Sequence, residues 1–231
     1  QRMSRVIGID GCKAGWIIAK TLEDKSISFQ IIKNLNDDYL KESNVSLIGI
    51  DIPLRLSSSG KRLAEIEARV LLKNRACTIF SPPTLNALTA KNYIDACKIN
   101  FKECGKKISK QSWNLFPKIK EAQEFLENKS IIELGVFEVH PELSFMAMND
   151  MNLIRASKKT VIGREIRIKL IQKFFPKFSF ESVRNKYKKN QVLDDDILDS
   201  VSVLWSTQRI VDNIAKFVPK DSKKTDMRIY F

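Results

Sequence analysis

The sequence predicts an α/β protein in which helices cover the faces of a mixed β-sheet. Apolar segments with the length of strands crowd the first fifty residues, and later apolar segments alternate with stretches of helical periodicity. A meander of strands followed by strands that helices separate is typical of a mixed sheet. Apolar residues make up 43% of the 231 residues and charged residues 29%, as in ordinary globular chains.

Four strands are predicted within the first 53 residues. The segment 6–9 is wholly apolar and leads into Asp10, and the segments 16–21 and 27–32 flank a polar turn that indicates a hairpin. A second wholly apolar segment, 47–50, leads into Asp51. These patterns predict three strands in a meander and a fourth after a short helix.

Helical periodicity begins after the fourth strand. Over 61–75, Leu63, Ile66 and Val70 form an apolar stripe that we expect to face the core. For the charged residues Glu65, Glu67 and Arg69, a set of surface ion pairs is one interpretation, and a functional role is the other. Helices at 85–98 and 109–128 complete a helical insertion of about 61–130.

The remaining elements are a strand and two helices. The apolar segment 135–141 predicts a fifth buried strand, 162–175 a basic helix, and 194–216 a long helix with the apolar stripe Ile197, Val201 and Leu204. No stretch has the composition of a linker, so residues 1–231 are expected to form a single domain.

The charge of the chain is high and uneven. The net charge is +13, and residues 151–231 carry 18 Lys and Arg against 9 Asp and Glu. Such a surface favours anionic partners, nucleic acid among them, although a generally basic, solvated surface is the alternative. No apolar run approaches the roughly 20 residues of a membrane span, which excludes an integral membrane protein.

Cysteine and histidine usage bears on metals and location. The four cysteines lack zinc-ligand spacing, and His140 is the single histidine. Cys12 is interpreted as a small packed residue. With no secretory pattern at the start of the chain, free thiols favour the reducing cytoplasm.

Two predicted strands end in the same way. Asp10 and Asp51 each follow an apolar strand, where strand propensity does not explain a carboxylate. If these strands are parallel neighbours, both carboxylates reach the carboxyl edge of the sheet, where open α/β sheets form their sites. Capping of the following turns is the alternative.

Further acidic residues follow in the fifth strand and the last helix. Glu138 and His140 share one strand face, either at the site or as a buried hydrogen-bonded pair. Helix capping explains the first acids at 194–196, but not Asp199, which lies near the apolar stripe. Together with Glu138, these residues predict a cluster of hard oxygen atoms that suits Mg²⁺ or Mn²⁺, with Asp10, Asp51, Asp196 and Asp199 as the metal ligands.

Seven stretches in order resemble domain-of-unknown-function family 429, which is described as predicted nucleases of the ribonuclease-H-like fold. Each is short, but together they cover nearly the whole chain. The stretches are GIDGCKAGW (8–16), IDIP (50–53), EIEAR (65–69), SKQSWNLFPKI (109–119), FEVHPE (137–142), SKKT (157–160) and DDILD (195–199).

The resemblance implies a five-stranded mixed sheet of order 3-2-1-4-5, with helices on its faces and a helical insertion after the fourth strand. It implies a divalent-metal-dependent nuclease that acts on DNA or RNA, because two bound ions can promote phosphodiester hydrolysis. The implied catalytic residues are Asp10, Asp51, Glu138, His140, Asp196 and Asp199.

Polar residues of the matching stretches are candidates for holding substrate phosphates, with a solvated helix face as the alternative for the lysines. They are Lys110, Gln111, Asn114, Lys118, Lys159 and Arg164. Two other functions stay open: a phosphotransferase or ATPase of the actin-like class, and a non-catalytic protein that binds nucleic acid. The former class normally closes two such domains around its nucleotide.

Overall fold

Five strands form the main sheet in the spatial order β3-β2-β1-β4-β5, which confirms the predicted α/β class and strand order. The structure, a computed structural model, describes residues 6–36, 38–42, 45–128, 135–220 and 227–231. The strands are β1 Val6–Cys12, β2 Gly15–Thr21, β3 Ile27–Ile32, β4 Leu47–Ile50 and β5 Gly135–Glu138.

The sheet combines antiparallel and parallel pairs. β1, β2 and β3 form an antiparallel meander, whereas β4 and β5 run parallel to β1. The carboxyl ends of β1, β4 and β5 therefore lie at one edge of the sheet, the edge at which α/β proteins place their ligands.

Helices cover both faces of this sheet, and in the described part of the chain four of them lie between β4 and β5. Residues 129–130, at the end of the predicted insertion, lie outside the described residues. The helices are α1 Asp38–Glu42, α2 Leu63–Leu72, α3 Tyr93–Cys104, α4 Lys110–Asn114, α5 Phe116–Glu127, α6 Pro141–Met148, α7 Val161–Phe174, α8 Phe180–Lys186 and α9 Asp194–Val211.

Capping residues account for one shifted boundary. The predicted helix 85–98 is replaced by α3, which begins after Asn92 because the Asn92 side chain accepts a hydrogen bond from the Asp95 backbone N–H. It ends at Cys104 and is followed by Gly105, whose φ of 70° is the left-handed conformation that glycine adopts readily.

The two faces of β1 pack against different layers. Ile7 and Ile9 belong to the core that includes the helices of the insertion, whereas Gly8 and Asp10 point to the opposite face, which α9 covers. Strand alternation explains this division, since successive side chains leave a strand on opposite sides.

The predicted core stripe of α2 is wrong. Leu63, Ile66 and Val70 are 58%, 42% and 70% exposed. The helix instead packs through the small side chains of Ala64 and Ala68, which belong to a core cluster with α6 and a short C-terminal hairpin. The small side chains allow the close approach, and Leu72 at the end of the helix is buried with them, whereas Leu63, Ile66 and Val70 lie on the outer face.

The same rotation of α2 overturns the predicted surface ion pairs. Glu65 is buried, and its carboxylate contacts Arg62 at 3.4 Å. The hairpin on which α2 packs consists of β6 Phe217–Val218 and β7 Ile229–Tyr230 and was not predicted, since two-residue strands have no periodicity to detect. None of the helices in the described ranges combines the length and apolarity needed to cross a bilayer.

Candidate active site

A cleft of about 520 Å³ opens at the carboxyl edge of β1 and β4. Residues from strands, loops and the helices α4, α5, α6 and α9 converge on it, so residues far apart in the chain become neighbours. The charged and polar side chains along its wall include Asp10, Asp51, Gln111, Lys118, His140, Glu142, Lys158, Asp196 and Asp199.

Strand register places the two strand-end carboxylates side by side. β1 and β4 pair in parallel with Ile9 opposite Ile50, so Asp10 and Asp51 come next on the two strands. The backbone N–H of Asp51 donates to the carbonyl of Ile9 at 3.0 Å, which continues the ladder up to the site.

Two glycines bring α9 onto these strands. Gly8 and Gly49 lie opposite each other in the parallel pair. A Cβ atom on Gly8 would collide with the backbone of Leu204, and one on Gly49 would collide with the side chain of Thr207. In each strand the glycine admits the helix, and the carboxylate follows two residues later on the same face.

The first two turns of α9 supply further carboxylates. Asp199 is only 2% exposed, and Asp196 is partly buried. The Asp196 carboxylate accepts a hydrogen bond from the backbone N–H of Leu193 at 2.8 Å, so it caps the helix as well as lining the cleft. Asp199 has no capping role, as the sequence indicated.

Burial and mutual repulsion both disfavour the ionised form of the carboxylates in the cleft. Burial raises the pKa of Asp10 well above its usual range, and the charges of Asp51 and Asp199 raise it further. Burial and then the charge of Asp199 raise the pKa of Asp51 to about 8. Such shifts are typical of functional sites, because structural carboxylates are usually balanced.

Lys158 is the cation nearest to this cluster. Its Nζ lies 2.5 Å from Asp199 Oδ2 and 3.5 Å from Asp195 Oδ2. Burial opposes the lysine charge, but the carboxylates of Asp199 and Asp10 outweigh burial and raise the lysine pKa. Burial also raises the pKa of Asp199, but Lys158 opposes this rise, and the value is about 6.

Sequence reasoning missed Lys158 and named its neighbour Lys159, which is exposed and does not line the cleft. The SKKT stretch was the available signal, but the sequence could not tell which lysine points inward. The turn before α7 decides this: Gly163 packs against Ser157, and the Thr160 side chain caps the helix by accepting a hydrogen bond from the Gly163 N–H.

His140 lies in the cleft as a neutral side chain. Burial lowers its pKa to about 4, although the nearby Glu142 carboxylate acts in the opposite direction. Its Nδ1 has no hydrogen-bond partner among the described residues. Glu142, which sequence reasoning did not select, is balanced by Arg167, whose guanidinium donates two hydrogen bonds of 2.8 and 3.0 Å.

Glu138 does not join the cluster. It pairs in register with Ile50, so its side chain leaves the sheet on the face opposite to Asp10 and Asp51. There it accepts two hydrogen bonds from Arg62, of 2.8 and 2.9 Å, and one from the Leu54 backbone N–H. Glu138 is therefore a buried, hydrogen-bonded carboxylate, but its side-chain partner is Arg62 and not His140, as the alternative from the sequence had it.

The family model described as "Protein of unknown function (DUF429)" matches residues 8–224. The chain belongs to this family. No match was found among curated proteins, and none among solved structures. The family description assigns no activity, so function in this DUF429 protein has to be argued from the cleft itself.

Two of the six predicted phosphate-binding residues of this DUF429 protein, Gln111 and Lys118, line the cleft. The Lys118 ammonium donates to the Gly15 carbonyl and lies 4.2 Å from the centre of the Trp16 ring. The other four do not line it: Lys110 covers the Tyr93 ring, Arg164 pairs with Asp194, and Asn114 and Lys159 are exposed.

The oxygen atoms of the cleft suit a hard cation that is held by only one or two carboxylates. Among the described residues, no group of three or more His, Cys, Asp or Glu side chains is arranged to hold a metal ion. Mg²⁺, however, commonly binds through one or two carboxylates and completes its coordination with water and substrate phosphates. The adjacent Asp10 and Asp51, whose charges repel each other, fit that mode.

Proposed function

We propose that this cleft hydrolyses phosphodiester bonds of DNA or RNA with the help of Mg²⁺ or Mn²⁺. The observation that carries the proposal is the gathering of the Asp10, Asp51 and Asp199 carboxylates in one cleft at the carboxyl edge of the sheet, where Lys158 offsets only part of their repulsion. A divalent cation would offset this repulsion, and a substrate phosphate could then complete its coordination.

Asp10 and Asp51 would hold the cation, with Asp196 and Asp199 on the facing wall. When bound, the ion would polarise the phosphate and help to form the attacking hydroxide. The substrate would enter along the open side of the cleft, where Lys13 and Lys118 lie beside Asp10. Burial lowers the pKa of Lys118, yet its ammonium is positioned to donate to a phosphate oxygen.

His140 would act by position. Because its pKa is lowered to about 4, it is neutral at physiological pH and does not serve as a resident acid. Its Nδ1, without a partner among the described residues, can bind the attacking water or a phosphate oxygen, depending on its tautomer. We therefore expect His140→Ala to reduce cleavage only about tenfold, while Asp10→Asn abolishes it.

Nucleic acid as the partner is supported by charge. The net charge of +13, concentrated in residues 151–231, favours a polyanion. Binding to single- and double-stranded DNA and RNA is then expected to weaken steeply with salt, with a slope of about −0.9 per neutralised phosphate on B-DNA. The free cysteines fit a cytoplasmic location for this activity.

The decisive experiment measures Mn²⁺-dependent cleavage of labelled DNA and RNA by the wild type, Asp10→Asn and Asp199→Asn. We expect cleavage only by the wild type, whereas binding to the same substrates in chelator is similar for all three proteins. If Asp10→Asn cleaves as fast as the wild type, the catalytic centre does not lie in this cleft.

A second candidate, non-catalytic binding of nucleic acid, is favoured by one contact. Lys158 already neutralises Asp199, so the cluster contains its own cation. Salt-sensitive binding without any cleavage in Mg²⁺ or Mn²⁺ would identify this function.

A further inference from the structure

A second pocket adjoins the cleft behind Phe80 and Gln111, which line both cavities. It has a volume of about 240 Å³ and lies between α2, the loop at 79–83 and the segment 104–111 that joins α3 to α4. This is below the roughly 300–1,000 Å³ of pockets for drug-sized ligands, so it suits a single ring system.

A buried carboxylate forms part of the pocket wall. Glu65 is 5% exposed, and its Oε1 contacts Arg62 Nε at 3.4 Å. Its Oε2 has no hydrogen-bond partner among the described residues. Burial raises the pKa of Glu65 to about 7, while Arg62 acts in the opposite direction. A buried acceptor without a partner is rare in native proteins and indicates a missing donor.

The rest of the pocket combines apolar walls with a basic rim. Ile79, Phe80, Pro82, Pro83 and Ile108 supply flat apolar surface. Lys61, Lys106 and Lys107 are exposed at the rim. Arg69 is already engaged, since its guanidinium donates to the Ile79 carbonyl and to the Ser81 hydroxyl. The ligand therefore has a flat apolar body, one buried donor and an anionic group.

We propose that this pocket binds a nucleobase with an exocyclic amine, carried by a nucleotide whose phosphate lies on the lysine rim. The amine of guanine, adenine or cytosine would donate to Glu65 Oε2, and carboxylates accept from such amines in base recognition. Phe80 would contact the base face, as aromatic side chains do with unstacked bases. Uracil and thymine lack this amine.

The position of the pocket links it to the cleft, and here the inference rests on the proposed function. A strand with its reacting phosphate beside Asp10 would pass Phe80 and Gln111 and could place a neighbouring base in the pocket. A free nucleotide would present the same base and phosphate to the pocket. Base recognition itself requires neither metal nor cleavage, so it can be measured separately.

The test is calorimetric titration of GMP, AMP, CMP and UMP into the full chain in the presence of a chelator. We expect the three amine-bearing nucleotides to bind at least tenfold more tightly than UMP. Glu65→Gln removes a charged acceptor and is expected to weaken their binding by about ten- to a hundredfold, which abolishes the preference over UMP.

A second pair of variants keeps the inference testable if the Glu65→Gln protein does not fold. Lys107→Glu reverses an exposed rim charge and is expected to weaken all four nucleotides, whereas Lys120→Glu, on the exposed face of α5, leaves binding unchanged. Displacement of the bound nucleotide by a short single strand identifies a base of the strand as the ligand. Absence of displacement identifies the free nucleotide.

Three results would overturn the inference. They are no binding of any nucleotide to folded wild type, equal affinity for UMP and GMP, and binding that Asp10→Asn weakens but Lys107→Glu does not. Failure of the proposed nuclease function looks different, because nucleotides would then bind in chelator while no strand is cleaved in Mn²⁺.

Discussion

On the face of the sheet covered by the insertion, Glu138 lies against Arg62 and accepts two hydrogen bonds from its guanidinium. On the face covered by α9, Asp10 accepts a hydrogen bond from the Gly11 N–H and confronts the carboxylates of Asp51 and Asp199. Both faces bury carboxylates at the same edge of the sheet, but the first pairs Glu138 directly with a guanidinium, whereas the second gathers several carboxylates around the one ammonium of Lys158.

This difference shows how to separate structural from functional acids in one fold. A carboxylate with a buried arginine contributes to a single packed state, and its removal exposes an unpaired charge. A carboxylate among other carboxylates destabilises the fold and is kept for what it binds. Burial alone does not distinguish them, since Glu138 and Asp10 are 6% and 7% exposed.

The largest effect is expected on the balanced face. Arg62→Met leaves Glu138 buried and unpaired and should lower the free energy of unfolding by about 3–5 kcal/mol, measured by urea denaturation. The matched variant on the other face, Asp10→Asn, should cause no loss. If both variants lose the same free energy of unfolding, the carboxylates on the two faces do not differ in the way that their partners indicate.

The second-largest effect tests whether the close packing of α9 on β1 is needed for stability. Gly8→Ala forces a methyl group into the Leu204 backbone and should lower the free energy of unfolding by about 1–3 kcal/mol. It should also weaken Mn²⁺ binding, because Asp199 moves away from Asp10. Gly11→Ala is the control, since its methyl group would meet only the flexible Lys118 side chain. A stable Gly8→Ala protein would show that the close approach is not needed.

Lys158 tests the internal counter-charge of the unbalanced face. Lys158→Met removes the cation beside Asp199 and should raise Mn²⁺ affinity about tenfold or more by calorimetry, as expected for a unit charge a few Å away. Lys159→Met, at the exposed neighbouring position, should leave the affinity unchanged. Weaker Mn²⁺ binding in Lys158→Met would mean that the lysine assists the ion rather than competes with it.

The smallest effect is a gain in stability without metal. In the fold the pKa of Asp51 is raised to about 8, against about 4 when unfolded, so the native state binds more protons between these values. Stability should therefore be full below pH 4 and fall as the pH rises towards 8.

Asp51→Asn should remove the part of this pH dependence that Asp51 contributes and raise the Tm at pH 8 by about 2–4 °C, the shift that roughly 1 kcal/mol produces in a chain of this size. Scanning calorimetry in chelator at pH 5 and pH 8 measures both quantities. A lower Tm for Asp51→Asn at pH 8 would place Asp51 among the structural acids.

Local patterns in the sequence were enough to predict the five strands of the main sheet and the last helix, and to select Asp10, Asp51 and Asp199, which line one cleft. Strand length, alternation and helical spacing are properties of neighbouring residues, so they can be read without knowing what packs on what. The order of the strands came from the likeness to a family, and the structure confirms it.

Tertiary structure alone decided which side chains share a face and which charges meet. The register of β5 against β4 directs the Glu138 side chain to the face opposite the cleft. The turn before α7 directs Lys158, and not Lys159, into the cleft. Close packing rotated α2, so that Glu65 is buried and Ile66 is exposed. These outcomes depend on contacts between residues far apart in the chain, and no local periodicity encodes them.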